Sequence, residues 1–111
     1  MRKAQVFWNN TVAGTLTEVT PGEYIFRYED AYFTDPAQPA ISLTLPKRQQ
    51  EYRSSYLFPF FFNMIAEGVN RNLQSRQLKI DEQDYFGLLL ATAQYDTIGA
   101  VTLKPLQEKN A

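Results

Sequence analysis

The chain has 111 residues, 44% of them apolar, with 11 basic and 12 acidic side chains and a net charge of −1. That length supports one domain with one core and not two. The chain holds neither cysteine nor histidine, which excludes disulfides, thiolate chemistry, Ser-His and Cys-His nucleophile pairs and the usual zinc ligands.

No long block of one sign exists, so autonomous nucleic-acid binding through a phosphate-neutralising face is not expected. Arg2 and Lys3 read as a solvated basic terminus. The residues after Lys3 turn polar too soon for a signal peptide. The longest apolar run, Leu57 to Phe62, is far below the ~20 residues of a membrane span. The expectation is a soluble cytoplasmic protein.

Ala4 to Trp8 and Thr11 to Leu16 have strand composition, and Asn9-Asn10 between them is a tight-turn signal. Pro21-Gly22 marks the next turn. Glu23 to Tyr28 then alternates, with Tyr24, Phe26 and Tyr28 making one aromatic face. Two prolines and an aspartate make Tyr32 to Pro39 a loop. Ile41, Leu43 and Leu45 alternate with Ser42 and Thr44, which predicts a half-buried strand closed by Pro46.

Lys47 to Ser55 is polar and reads as an exposed loop. Ser54 or Ser55 is placed to cap a helix running to about Asn72, with Pro59 in its first turn, where the missing N–H costs little. A second short helix covers Leu73 to Leu78. Asp81 and Asp84 resemble a capping box that opens a helix through about Ala93. Asp96 to Gly99 is a turn, and Ala100 to Leu103 is a closing strand that inserts beside the early ones, since four isolated residues would not hold. Residues 1–105 form one domain and 106–111 a polar tail. Strands first, then two to three helices, then one more strand, predict an α+β fold with a small, mostly antiparallel sheet.

The helix from Leu57 has an apolar arc of roughly 200°, twice what one core contact needs. It is either covered on two sides within the domain, or it offers an edge near Phe62, Met64 or Val69 to another protein. Glu67 has no titrating partner at a defined spacing, so charge on a helix face outweighs acid–base work. Asp81, Glu82 and Asp84 lack the glycine and distal glutamate of a calcium loop, and capping outweighs metal ligation. Tyr95-Asp96 is a turn, since the rest of a kinase signature is missing. Trp8 reads as a core anchor. Tyr24, Phe26 and Tyr28 beside Arg27 pack rather than stack on RNA, since no basic surface surrounds them. No catalytic, metal-binding or cofactor motif is present.

From Val6 to Pro105 the chain resembles the N-terminal domain of HipA-type toxin kinases. The resemblance rests on Ala13-Gly14-Thr15-Leu16, Phe26-Arg27-Tyr28, Ser42-Leu43-Thr44-Leu45-Pro46, Phe60-Phe61 with Glu67-Gly68, and Gly99-Ala100-Val101-Thr102-Leu103, in that order and spacing. The family usually has proline where Ala66 stands and glycine where Gln94 stands. The resemblance implies a domain without catalytic residues that packs on a kinase core. No kinase core follows here, and the chain runs from Met1 to a polar tail as a free-standing product would. It therefore resembles the HipS-like subunits of tripartite HipBST toxin–antitoxin systems. That implies an antitoxin-like subunit, not an enzyme and without cofactor, which binds and restrains a HipT-like Ser/Thr kinase. A HipB-like DNA-binding protein would share the larger complex, with no direct contact to nucleic acid or membrane. The alternative is a structural or dimerising domain that stabilises a kinase–HipB–DNA complex without inhibiting it. The contact residues expected on this reading are Phe62, Met64, Glu67, Val69, Asn70 and Arg71.

Overall fold

The computed structural model describes residues 1–65, 84–92 and 100–106. Strands β1 (Arg2–Trp8), β2 (Thr11–Thr20) and β3 (Glu23–Tyr28) form an antiparallel meander. Asn9 and Asn10 join the first two with φ of 46° and 69°. These are the left-handed conformations of a two-residue hairpin turn, which asparagine tolerates. The edges are β4 (Glu51–Ser54) on β3 and β5 (Val101–Leu106) on β1, both antiparallel, giving the order β4-β3-β2-β1-β5. Three short helices complete the described residues: α1 (Asp30–Thr34), α2 (Pro59–Phe62) and α3 (Tyr85–Thr92). The α+β class and the inserted closing strand are as the sequence implies.

One face of the sheet is the core wall. Ala4, Val6, Leu16, Tyr24, Phe26, Tyr28, Val101 and Leu103 are all buried, and each alternates with a more exposed neighbour, as period-two strands require. Bulges at two points shift the register, one between Val6 and Phe7 opposite Ala13 and one near Val19. Gly14 sits opposite Tyr28, where β2 passes close to β3. A Cβ there would collide with the Arg27 carbonyl and lie 3.0 Å from the Phe26 ring. Against this wall pack Leu57, Phe58, Phe61, Met64 and Ile65 from the α2 region and Phe86, Leu88 and Leu89 from α3. Phe61 and Tyr28 both meet the Phe26 ring, with centroids at 5.7 and 4.8 Å.

Four expectations fail. The Ile41 to Leu45 segment is a turn and not a strand: Leu45 N donates to Ser42 O at 3.1 Å, and Leu43 is 99% exposed while Ile41 and Leu45 are buried. Tyr32, expected in a loop, lies in α1 and is buried. The polar stretch before Ser55 supplies β4. The α2 helix starts at Pro59 after Phe58, which makes no side-chain cap, and Ser54 Oγ instead accepts from Tyr56 N at 3.1 Å. From Met64 onward the helical bonds tighten to three-residue spacing, Met64 N to Phe61 O and Ile65 N to Phe62 O. The proposed continuation to Asn72, the Leu73–Leu78 helix, Asp81 and the Asp96–Gly99 turn lie outside the described residues. β5 runs on to Leu106, past the expected end of the closing strand at Leu103.

Candidate interaction surface

Arg2 is not a solvated terminus. It opens β1 on the same face as Ala4 and Val6, and its guanidinium is held by two carboxylates. Nη2 and Nε donate to Glu18 Oε1 at 2.6 and 2.9 Å, while Nη2 and Nη1 donate to Asp84 Oδ1 and Oδ2 at 2.8 and 3.0 Å. Glu18, only 8% exposed, also accepts from Tyr24 Oη at 3.2 Å. Arg2 further lies 5.3 Å from the Phe86 ring centroid, within cation–π range. Asp84 precedes α3 and accepts from Gly87 N at 3.1 Å, the bond of a helix N-cap. Asp84 is thus itself the N-cap of a helix that starts at Tyr85, and not the residue three positions inside a helix opened by Asp81 that the capping box implied. Gly87 is needed there, because a Cβ would collide with the Asp84 carboxylate and stand 3.1 Å from Arg2 Nη1. The hydrogen bonds from Arg2 hold the Asp84 carboxyl below its ordinary range, and the same bonds raise the guanidinium further above its own. This cluster ties the first strand to α3 and uses up its own charges. It leaves no free acid–base pair.

Strand parity brings three members of the cluster together, a signal hidden when β2 is read as ending at Leu16, and Asp84 lies beyond its reach. Arg2 pairs with Glu18 across β1 and β2, and Glu18 pairs with Tyr24 across β2 and β3. All three share the inward face with Leu16 and Phe26, so charges at those positions had to be partnered. Among the described residues, no group of three or more histidine, cysteine or acidic residues could hold a metal.

The sequence-derived contact residues divide. Phe62 is half-buried, its ring 5.1 Å from that of Tyr85. It lines a recess of about 300 Å³ with Pro21, Tyr24, Tyr56 and Leu57. Met64, expected at a partner-facing edge, turns into the core and is only 5% exposed. Glu67, Val69, Asn70 and Arg71 lie outside the described residues. Trp8 is half-buried against the core, as a strand anchor.

The surface that sequence reasoning missed is the segment from Asp35 to Pro46. It is irregular but tied down along its length. The Tyr28 hydroxyl donates to Leu45 O and accepts from Ile41 N at 3.1 Å. Tyr32 Oη donates to Pro39 O at 2.7 Å and Tyr52 Oη to Pro46 O at 2.6 Å. Lys47 Nζ donates to Asp35 O and Gln38 O at 2.6 and 2.7 Å. Burial pushes the Tyr28 phenol up to about 12, so it stays a neutral hydroxyl that donates and accepts at once. At the tip, Thr44 N donates to Ser42 Oγ at 3.2 Å, and Leu43 projects outward. A recess of about 430 Å³ beside it is bounded by Trp8, Pro39, Ala40, Ile41 and Pro46.

The family model of the HipA N-terminal domain matches residues 4–104. The chain belongs to the HipA N-terminal domain family. A solved structure, the N-terminal domain of HipA toxin, superposes with a TM-score of 0.73 at 25% identity, covering 98% of this chain and 96% of that one. A protein of Haemophilus influenzae described only as uncharacterized is 31% identical over 94% of this chain and 92% of its own length. "Putative kinase Y4mE" of Sinorhizobium fredii is 28% identical over 95% of this chain, yet the chain spans only 25% of that protein. The region similar to this chain therefore makes up a quarter of a longer, kinase-named protein and nearly the whole of a short one. No helix among the described residues is long and apolar enough to cross a membrane.

Proposed function

We propose that the chain is a non-catalytic, antitoxin-like subunit that binds and restrains a HipT-type Ser/Thr kinase in the cytoplasm. One observation carries this reading: the domain that forms a quarter of kinase-named relatives also covers 92% of the Haemophilus influenzae protein. A domain that works beside a kinase in one chain is suited to dock on a kinase from a separate one. The composition supports it, since a chain without cysteine or histidine lacks the common nucleophile–base pairs. Its effect would come from covering a surface of the kinase small lobe and hindering closure over ATP, with a HipB-like DNA-binding protein completing the assembly.

The test is co-purification with the HipT-type kinase of the same genome, followed by kinase autophosphorylation and growth assays with and without this chain. A complex at micromolar concentration and relief of kinase toxicity are expected. No complex overturns the proposal. A complex that leaves toxicity unchanged assigns the chain a structural role instead.

A further inference from the structure

An open sheet has two outer strands, and here the two are finished differently. Among the described residues β5 lies outermost on one side and β4 on the other. Asn9 N donates to Ala100 O, so Thr102 and Lys104 bond back to β1, while Val101, Leu103 and Pro105 turn their backbone outward. Pro105 has no N–H to offer there, and proline guards an outer strand against further pairing. β4 has no proline. Tyr28 N donates to Gln50 O at 2.9 Å, so Gln50, Tyr52 and Ser54 bond to β3, while Glu51 and Arg53 turn N–H and C=O to the open side. The Glu51 carbonyl is met there by Gln49 Nε2, an exposed side chain that a pairing strand can displace.

Charge picks the strand that fits. Glu51 and Arg53 have opposite signs and flank Tyr52 in sequence. An antiparallel copy of β4, turned about a twofold axis at Tyr52, sets Glu51 opposite the partner's Arg53 and Arg53 opposite the partner's Glu51. Both are then hydrogen-bonded pairs, since every backbone group involved already points outward. Opposite charges directly across a ladder add to it, and like charges subtract. A slip of one residue would mismatch the backbone groups. A slip of two would set Arg53 against Arg53, or Glu51 against Glu51. The favoured register also brings the exposed ring of Tyr56 toward the partner's Arg48, a cation beside an aromatic face. Charged edges keep unlike strands off, and a pattern that is its own complement makes an exception for its own copy.

We propose that β4 pairs antiparallel with β4 of a second copy of this chain about a twofold axis at Tyr52, joining two five-stranded sheets into one. The contact is isologous, as a twofold requires. The pairs that Arg53 makes within the chain, to Glu51 at 3.2 Å and Glu23 at 3.3 Å, are exposed and cost little to rearrange. With four residues in the strand, the interface falls short of the roughly 800 Å² per partner of a standard one, and the dimer is a weak one. Its formation is independent of the kinase-binding role proposed above, because the chain alone suffices.

Two measurements on the purified chain test this. Sedimentation follows association from about 10 µM to 1 mM, and amide hydrogen exchange by NMR follows Glu51 and Arg53 over the same range. The expected result is a concentration-dependent dimer in which those two amides exchange more slowly as it forms. Arg53→Glu and Glu51→Arg, each first checked for wild-type circular dichroism, should weaken self-association at least about tenfold. An equimolar mixture of the two should recover it to within about threefold, since their charges complement each other across the pair. A chain that stays monomeric through 1 mM overturns the proposal. So does a dimer in which Glu51 and Arg53 exchange as fast as in the monomer, which would use another surface. A mixture of folded variants no better than either alone also overturns it. The exchange measurement uses the natural sequence, so it decides even where a variant does not fold.

Discussion

At the scale of single residues, the placement of Arg2 shows how a charge at a strand end becomes part of the fold. Its position on the inward face of β1, a central strand, calls for partners to its charge, and Glu18 and Asp84 supply them. Arg2 and Asp84 retain substantial exposure, with side chains 40% and 35% accessible, so solvent screening keeps the pair modest. The pH dependence follows from the direction of the shift. The carboxyl of Asp84 is depressed in the folded state, chiefly by the hydrogen bonds from Arg2, while in the unfolded chain it titrates near ~3.9. Its contribution is therefore present above about pH 4 and disappears as pH falls through the lower folded value. Asp84→Asn keeps an oxygen for Gly87 N but loses the ion pair. Urea melts should show the variant weaker by about 1 kcal/mol at pH 7, with the difference shrinking at pH 3. An undiminished gap at pH 3 would mean that the pair is not what the substitution removed.

At the scale of elements, strands with one wet and one dry face, the helix opened by Pro59, the helix before residue 93 and the closing strand were legible, while short or pinned segments were not. Tyr24, Phe26 and Tyr28 read as an aromatic face, and all three are buried. The same alternation at Ile41, Leu43 and Leu45 misled, because two of the three point inward for a different reason. Tyr28 captures the backbone at both Ile41 and Leu45, and the turn that results throws Leu43 out. Period-two pattern cannot distinguish a pleat from a turn pinned by a distant tyrosine. β4 was hidden because Glu51-Tyr52-Arg53-Ser54 is an edge strand whose charges pair across to Glu23 and Arg27, which is how edges are kept from aggregating. α1 has five residues, too few for a 3.6-residue period to show. Of the six expected contact residues only Phe62 and Met64 are among the described ones, and the burial of Met64 shows that apolarity on every side of that stretch signals a core as readily as a binding edge. The hairpin turn gives a direct test of the elements that were legible. Both Asn9 and Asn10 have positive φ, which costs an alanine roughly 1–2 kcal/mol each. Replacing both by alanine should lower stability in urea unfolding by about 2 kcal/mol, whereas Asn10→Gly should hold or raise it. A harmless double alanine would show that the turn does not set the register of β1 and β2.

At the scale of the whole molecule, charge separates the ways in which this domain could meet a partner. Eleven basic and twelve acidic side chains leave a net charge of −1, and the described ion pairs consume many of them locally: Arg2 with Glu18 and Asp84, Arg27 with Asp30 and Glu51, Arg53 with Glu23 and Glu51. A molecule organised so generates little long-range field, and it has little to gain from steering an oppositely charged partner. The Leu43 tip and the recess that ends on Trp8 add no charge. Association with the kinase proposed as partner should then be governed by apolar burial, which salt does not screen. Raising sodium chloride from about 50 to 500 mM shortens the screening length from roughly 14 to 4 Å. That change should alter the dissociation constant by less than about threefold, with the association rate nearly constant, because steering by complementary charge is the component that salt removes. A loss of tenfold or more over that range would place the dominant contacts on Lys3, Lys104 or another charged position, and away from the apolar surface.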